Sequence, residues 1–449
     1  MKIIVPPFAV AEDDGFKADL FSRKEFGQSL LNLIVNSDDS LVISLDGKWG
    51  EGKSTFIKQW RGLAKSESVA SIYIDVFEND YVGDAFIAIA SAINAFVSKE
   101  CPEKAIRDQF QKGAIRVGKQ LLTMGAKVAI KVGTLGAIDY ADVDALTVNE
   151  DEIADAASDK LSAAIKEQLN AHEKNAQSIA AFKELLEELP SKVENNSSKK
   201  LVIVLDELDR CRPSFAVEIL ERVKHLFSVP NVSFLLVMNK TQLEAAVKCV
   251  YGDDIDAHTY LQKFINVEVA FPKRSNKNNS DLKLYSSMLL EAHKLNEQLL
   301  SDATYCIDYM AGYYSLSLRE LEKVYTSLAI LSTNYHNSHR LQDGLLLAAL
   351  CVLKTHKPVV FEGLSKGAID FIDFRKKAGL ERVLRGEDME TILDTFKAYL
   401  LSESDFQALA DSDPIKKLIA YSGPVVRGIR REKLIPSYCE KLSMFKVNG

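Results

Sequence analysis

The sequence predicts an α/β chain: strands alternating with helices form a sheet, and an all-helical region follows. Three observations carry this. Short apolar runs at 41–45, 71–77, 201–205 and 232–238, with a fifth in 260–272, have the length and β-branched content of buried strands. Helical patterns separate them, which is the alternation of an α/β sheet. Beyond a polar linker that starts at residue 275, the remainder reads as helices. The reading is therefore a core over 1–274, with a mostly helical insertion at about 100–199, and a helical C-terminal domain over 275–449.

The bulk properties narrow the class. Hydrophobic residues make up 47% and charged residues 27%, ordinary for a soluble globular protein, and the net charge of -7 argues against coating nucleic acid over the whole surface. Six cysteines stand far apart without a CxxC pair, as reduced cytosolic thiols do. The apolar stretch at Met1–Val5 is too short for a signal peptide. No long uncharged apolar run predicts a membrane-spanning helix. The expected location is the cytoplasm, with contact at the inner face of the membrane left open.

In chain order, Ser22-Arg23-Lys24-Glu25 reads as a capping box opening a helix to Asn36, with Phe26, Leu30, Leu33 and Ile34 on its apolar side. Phe16, Leu20 or Phe21 either touches a nucleotide base or packs in the core. The run Leu41–Leu45 then leads through Asp46-Gly47-Lys48-Trp49-Gly50-Glu51-Gly52-Lys53-Ser54-Thr55 into a helix. Gly47, Gly52, Lys53 and Ser54 satisfy G-x-x-x-x-G-K-[ST], the phosphate-binding P-loop. Its glycines let successive N–H groups surround a phosphate at a helix N-terminus. The expected nucleotide contacts are Gly47, Trp49, Gly50, Glu51, Gly52, Lys53, Ser54 and Thr55. Lys53 reaches the β- and γ-phosphates and Ser54 ligates Mg²⁺.

A strand at Ser71–Phe77 precedes a helix from Asp84 to Lys99, with Asp75, Glu78 and Asp80 at the strand's end either as solvated loop acids or with one of them orienting water. Over 112–138 a helical projection gathers Lys112, Arg116, Lys119, Lys127 and Lys131 on one arc, opposite Val117, Leu121, Met124, Val128, Val132 and Leu135. Such a helix either docks on an anionic membrane surface or packs on a partner or on this chain's own core. Residues 149–189 read as an acidic helical pair.

Leu201–Leu205 ends in Asp206-Glu207, the partner that a P-loop requires. Asp206 is expected to hold Mg²⁺ and Glu207 to be the general base for water. After a helix from Phe215 to Phe227, Val232–Met238 is a strand ending at Asn239, which is either a γ-phosphate sensor or simply a strand-ending Asn that starts a turn. Tyr260–Pro272 supplies the fifth strand. Asn239-Lys240-Thr241-Gln242 lacks the aspartate of a guanine signature, so ATP is preferred to GTP.

Asp46–Ser54, Leu205–Arg210 and Tyr260–Phe264, with Trp49 in the loop and Leu208-Asp209-Arg210 after the acid, resemble the KAP family of P-loop NTPases, within the class that includes STAND and AAA+ proteins. The resemblance spans about residues 16–330. It implies a parallel five-stranded sheet in the order 5-1-4-3-2, with the acid pair on the third strand and the sensor on the fourth. It also implies an insertion before the acid-bearing strand, where many members carry transmembrane helices and this chain has the basic segment. Relatives often have Asp where Asn239 stands. Bacterial members are linked to exclusion of phages, animal members to membrane signalling scaffolds.

The rest reads as helices. Ser275–Ser280 is a polar linker. Ser317 caps a helix whose first turn carries Arg319, similar to the second sensor of AAA+-like proteins or else a surface arginine. Arg210, Arg212 and Arg222 are candidates for an arginine acting across a subunit interface. Leu345–Leu353 is the most buried-looking stretch. Arg427, Arg430, Arg431 and Lys433 form a basic cluster, facing solvent or contacting nucleic acid or phospholipid. The resulting expectation is an ATPase with ATP and Mg²⁺ as ligands, working as a homo-oligomer or with an effector protein. The alternative is a nucleotide-bound scaffold with little turnover.

Overall fold

All five expected strands form, and they lie side by side in one parallel sheet in the order β2-β3-β4-β1-β5. The computed structural model describes residues 3, 15–134, 173–276, 279–295, 301–333, 344–381, 388–420 and 430–444. The strands are β1 (Val42–Asp46), β2 (Ala70–Asp75), β3 (Leu201–Asp206), β4 (Val232–Met238) and β5 (Val267–Ala270). Read from the other edge, this is the expected order 5-1-4-3-2. The register aligns the strand tips: Asp75 faces Asp206, Asp206 faces Val237, and Asp46 faces both Met238 and Ala270. The carboxyl ends of parallel strands are where such sheets bind ligands.

Covering helices explain why β3 and β4 are apolar at nearly every position. Leu201, Ile203 and Leu205 point to one face, Val202 and Val204 to the other. The first face is covered by α4 (Ala85–Glu100), α7 (Pro213–Arg222, continued by a π-helix over Val223–Phe227) and α8 (Lys240–Tyr251). Against the second lie α1 (Lys24–Val35) and α2 (Lys53–Ser66). Each side chain fully buried between these layers stabilises the fold by about 1.5–3 kcal/mol.

Helices α1 and α2 approach closely at Gly27, where a Cβ would come within 2.8 Å of the Phe16 ring. The Trp60 indole donates to the Gly27 carbonyl at 3.0 Å. Phe16 is thereby core, tilted against Phe56. Phe21 packs beside Tyr285 of the helical region.

Two local readings are corrected. Ser22 does not cap α1: its backbone is left-handed (φ +50°), and the Asp19 carboxylate, not Ser22, accepts from the Lys24 N–H at 2.9 Å. On that helix Leu31 turns inward while Leu33 is exposed. The first part of Tyr260–Pro272 is helical rather than extended. Asp256 caps α9 (Ala257–Gln262) by accepting from the Thr259 N–H at 3.0 Å, and Leu261 enters the core.

The short helix α3 (Val76–Asn79) follows β2. The basic segment lies in α5 (Lys104–Thr134), whose side chains are described only to Leu121. There Phe110 and Val117 enter the core with Phe182 of α6 (173–192), while Lys112, Arg116 and Lys119 are exposed. The remainder of 112–138 lies outside the described side chains, and 135–138 and 149–172 outside the described residues. Among the described residues no single helix is long and apolar enough to cross a membrane.

The polar stretch at 275–280 is a small antiparallel hairpin, pairing Ser275 with Ser280 and Asn276 with Asn279. Ser280 then caps α10 (Asp281–His293). Helices α11 (Ser301–Tyr314), α12 (Leu318–Thr333) and α13 (Gly344–His356) continue into a helical cluster that reaches Leu442. Leu346–Leu353 are all buried in it. Arg431 is also turned inward, donating to the Ala398 carbonyl at 2.9 Å and pairing with Glu403, so the basic cluster loses that member. Arg427 lies outside the described residues.

Candidate nucleotide site

The loop between β1 and α2 is shaped by two left-handed glycines, Gly50 (φ +79°) and Gly52 (φ +86°). Those angles strain an L side chain by about 1–2 kcal/mol. Space is restricted too. A Cβ on Gly50 would lie 2.8 Å from Cβ of Arg319, and one on Gly47 would lie 2.9 Å from the Glu51 carboxylate. Glu51 is buried and braces the loop: it accepts from the Lys48 N–H at 2.9 Å and pairs with Lys273. Its carboxylate thus ties the loop both to itself and to Lys273 beyond β5.

The Lys53 ammonium folds back into the loop, donating to the Gly47 carbonyl and, at 3.1 Å, to that of Lys48. Burial lowers its pKa, and the nearby Asp209, Glu51, Asp206 and Asp46 carboxylates oppose the shift. The loop also holds the Trp49 ring, about half exposed, whose indole N–H donates to the Asp209 carboxylate.

Across from the loop, Asp206 is 1% exposed at the tip of β3. Its Oδ1 accepts from the Glu207 N–H at 2.9 Å and its Oδ2 from the Tyr73 hydroxyl at 3.0 Å. Burial raises its pKa, while the Ser54 and Tyr73 hydroxyls beside it favour the ionised form. Asp206 and Ser54 are hard oxygen donors adjacent to a phosphate loop, which fits Mg²⁺. Among the described residues no cluster of three His, Cys, Asp or Glu could hold a metal by itself.

Glu207 has a left-handed backbone (φ +62°, ψ +27°), uncommon outside glycine, and opens a one-turn helix at Leu208–Arg210. Its carboxylate pairs with Arg210 at 2.7 Å. Burial raises its pKa; Arg210 opposes this, and Asp75, Asp206 and Asp209 add to it.

A model of the KAP family P-loop domain matches residues 23–335. The chain belongs to the KAP family. Two solved structures of the Aeropyrum pernix ORC2 protein, one as ADPNP–ADP complexes and one in the ADP form, are similar to it at 12% identity and a TM-score of 0.35. Those alignments cover 98% of this chain and 96% of the other. The comparison with curated proteins found no match.

In this KAP chain the remaining expected site residues fall as follows. Asn239 follows Met238, the last residue of β4 and the one aligned with Asp46, but its side chain does not cap α8. Asp46 takes that part, accepting from the Lys240 N–H at 2.8 Å. Arg319 stands in the first turn of α12, where Ser317 and Glu320 form a reciprocal capping box. Its backbone N–H points to the Gly50 carbonyl at 3.4 Å, so the helical region touches the loop. Arg212 is engaged by Asp80 at 2.9 Å and Arg222 by Glu218 at 2.9 Å. Thr55 follows Ser54 in the first turn of α2.

Two site residues escaped sequence reasoning. Tyr73 is visible only once β2 is known to border β3, because its hydroxyl then lies diagonal to Asp206. Arg23 is buried between the Phe21 and Phe271 rings, donates to the Glu51 carbonyl at 3.4 Å, and pairs with Asp281 at 3.0 Å. No local pattern announces a partner so distant in sequence.

Proposed function

We propose that this KAP protein is an ATP-hydrolysing switch. The observation that carries the reading is the convergence of the phosphate loop on the buried Asp206, with Ser54 beside it and Glu207 next in sequence. In this reading Lys53 leaves the Gly47 and Lys48 carbonyls for the β- and γ-phosphates. Ser54 and Asp206 hold Mg²⁺, which when bound neutralises charge on the phosphate oxygens. Glu207 takes a proton from water as the water oxygen bonds to the γ-phosphorus. The bond from that phosphorus to the β–γ bridging oxygen breaks, and ADP and phosphate leave.

Arg319, placed at the loop by its backbone N–H bond to the Gly50 carbonyl, is assigned to read the γ-phosphate from the helical region. Asn239 is assigned to the attacking water. Because α12 rests on Gly50, a change at the phosphate shifts the helical region, which is how a switch transmits nucleotide state. A cytoplasmic location, assembly with itself or an effector, and a regulatory role in phage exclusion complete the proposal, the last by family analogy alone.

The second reading is a nucleotide-bound scaffold with little turnover, favoured by the ion pair that occupies Glu207. Phosphate release with ATP and with GTP, each with Mg²⁺ and with EDTA, separates the two. The switch reading expects Mg²⁺-dependent release that prefers ATP. Tight ATP binding without release contradicts it.

A further inference from the structure

The turn after Asp206 joins three contacts. Arg210 holds the Glu207 carboxylate at 2.7 Å, and its own N–H donates to the Glu207 carbonyl at 3.1 Å. One residue earlier, Asp209 accepts from the indole of Trp49, a residue of the phosphate loop. Glu207 itself keeps a left-handed backbone, a strained state for a non-glycine residue that persists only where its surroundings hold it.

A carboxylate engaged by a guanidinium is a poorer proton acceptor than a free one, because a lone pair is already used. Loading the loop must also disturb it. Lys53 now bonds to the Gly47 and Lys48 carbonyls, and both bonds are lost when the ammonium turns to phosphate. Lys48 immediately precedes Trp49, so the change reaches the ring whose only described hydrogen bond runs to Asp209.

We infer that Leu208–Arg210 is a restraint holding Glu207 off the attacking water until the phosphate loop is loaded, with Arg210 as positioning residue and Trp49–Asp209 as the tie to the loop. This rests on the hydrolytic role given to Glu207 above. It adds that the resting enzyme is held back from within its own chain.

The test uses the full chain at saturating Mg²⁺ and ATP. Turnover is compared for wild type, Glu207→Gln, Arg210→Gln, Arg210→Lys, Trp49→Phe and the double variant Trp49→Phe/Arg210→Gln. Each product release empties the loop and resets the restraint, so at saturating ATP the Glu207–Arg210 pair must still be broken once per cycle. Arg210→Gln is therefore expected to raise turnover about two- to fivefold, the scale of a partly exposed ion pair. Trp49→Phe is expected to do the same, and the double variant no more than the larger single effect, as for one shared restraint. Arg210→Lys keeps a cation and stays near wild type.

A purely structural role for Arg210 would lower turnover rather than raise it, and Arg210→Lys would not restore the wild-type rate. In Glu207→Gln, ATP binding should change the emission of Trp49 and not of the fully buried Trp60, the chain's other tryptophan. Unchanged or lower turnover in Arg210→Gln, with ATP binding retained, overturns the restraint. Additive single effects, or no change in Trp49 emission, overturn the tie. Equal turnover in wild type and Glu207→Gln overturns Glu207 as the base, and the restraint with it.

Discussion

Replacing Asp281 with Leu removes the counter-charge of a guanidinium that has almost no access to water. Arg23 is 6% exposed, lies 4.5 Å from the Phe21 ring centroid and 4.3 Å from that of Phe271, and pairs with Asp281 at 3.0 Å. Burial already lowers its pKa, and Asp281 is the main opposing influence. Breaking such a pair from one side costs about 3–5 kcal/mol. Arg23 Nε and Asp281 Oδ1 have no hydrogen-bond partner, so the pair itself is incompletely satisfied. Arg23→Met/Asp281→Leu, which keeps apolar volume between the two rings, should therefore be near neutral. With an unfolding entropy of about 2.1 cal/mol/K per residue, a chain of 449 residues melting as one unit loses about 3–5 °C in Asp281→Leu. The double variant recovers most of that. Thermal denaturation followed by circular dichroism measures both. The double variant should still bind ATP more weakly, because the Glu51 carbonyl has lost its Arg23 donor. A melting point unchanged in Asp281→Leu, or a double variant as unstable as the single one, would refute the reasoning.

Two further outcomes follow from the site. Burial raises the Glu207 pKa, so the ionised base is lost on acidification before an ordinary glutamate would protonate; turnover should fall through an acid limb above about pH 4.3. A pH profile with its limb at or below that value contradicts the assignment. Tyr73→Phe removes the 3.0 Å donor that orients Asp206, and the Mg²⁺ concentration for half-maximal turnover should rise about tenfold, the usual scale for a residue supporting a metal ligand. An unchanged Mg²⁺ titration argues that Tyr73 only packs.

Much of the fold was legible because strands buried on both faces cannot hide. Leu201–Leu205 and Val232–Met238 are apolar at nearly every position, and the glycines of the phosphate loop stand in a fixed pattern. The strand order came with the family resemblance rather than from the runs themselves. Short apolar runs misled where period and length were ambiguous: Tyr260-Leu261-Gln262 reads as strand until Asp256 is seen capping a helix. The same ambiguity put the cap of α1 at Ser22, whereas the acceptor is the earlier Asp19. In the candidate site, residues carried by one motif were found and those supplied by tertiary structure were not. Tyr73 needs the β2–β3 register, and Arg23 needs a helix that starts at Asp281. The Glu207–Arg210 pair needs a left-handed turn that spacing alone does not disclose.

The central claim is that Glu207 accepts a proton from water attacking the γ-phosphate. The most direct test is steady-state phosphate release by wild type and Glu207→Gln at saturating Mg²⁺ and ATP, with ATP affinity measured for both. The variant should release phosphate at least a hundredfold more slowly, the order contributed by a general base, at undiminished affinity. Equal rates at equal affinity would contradict it.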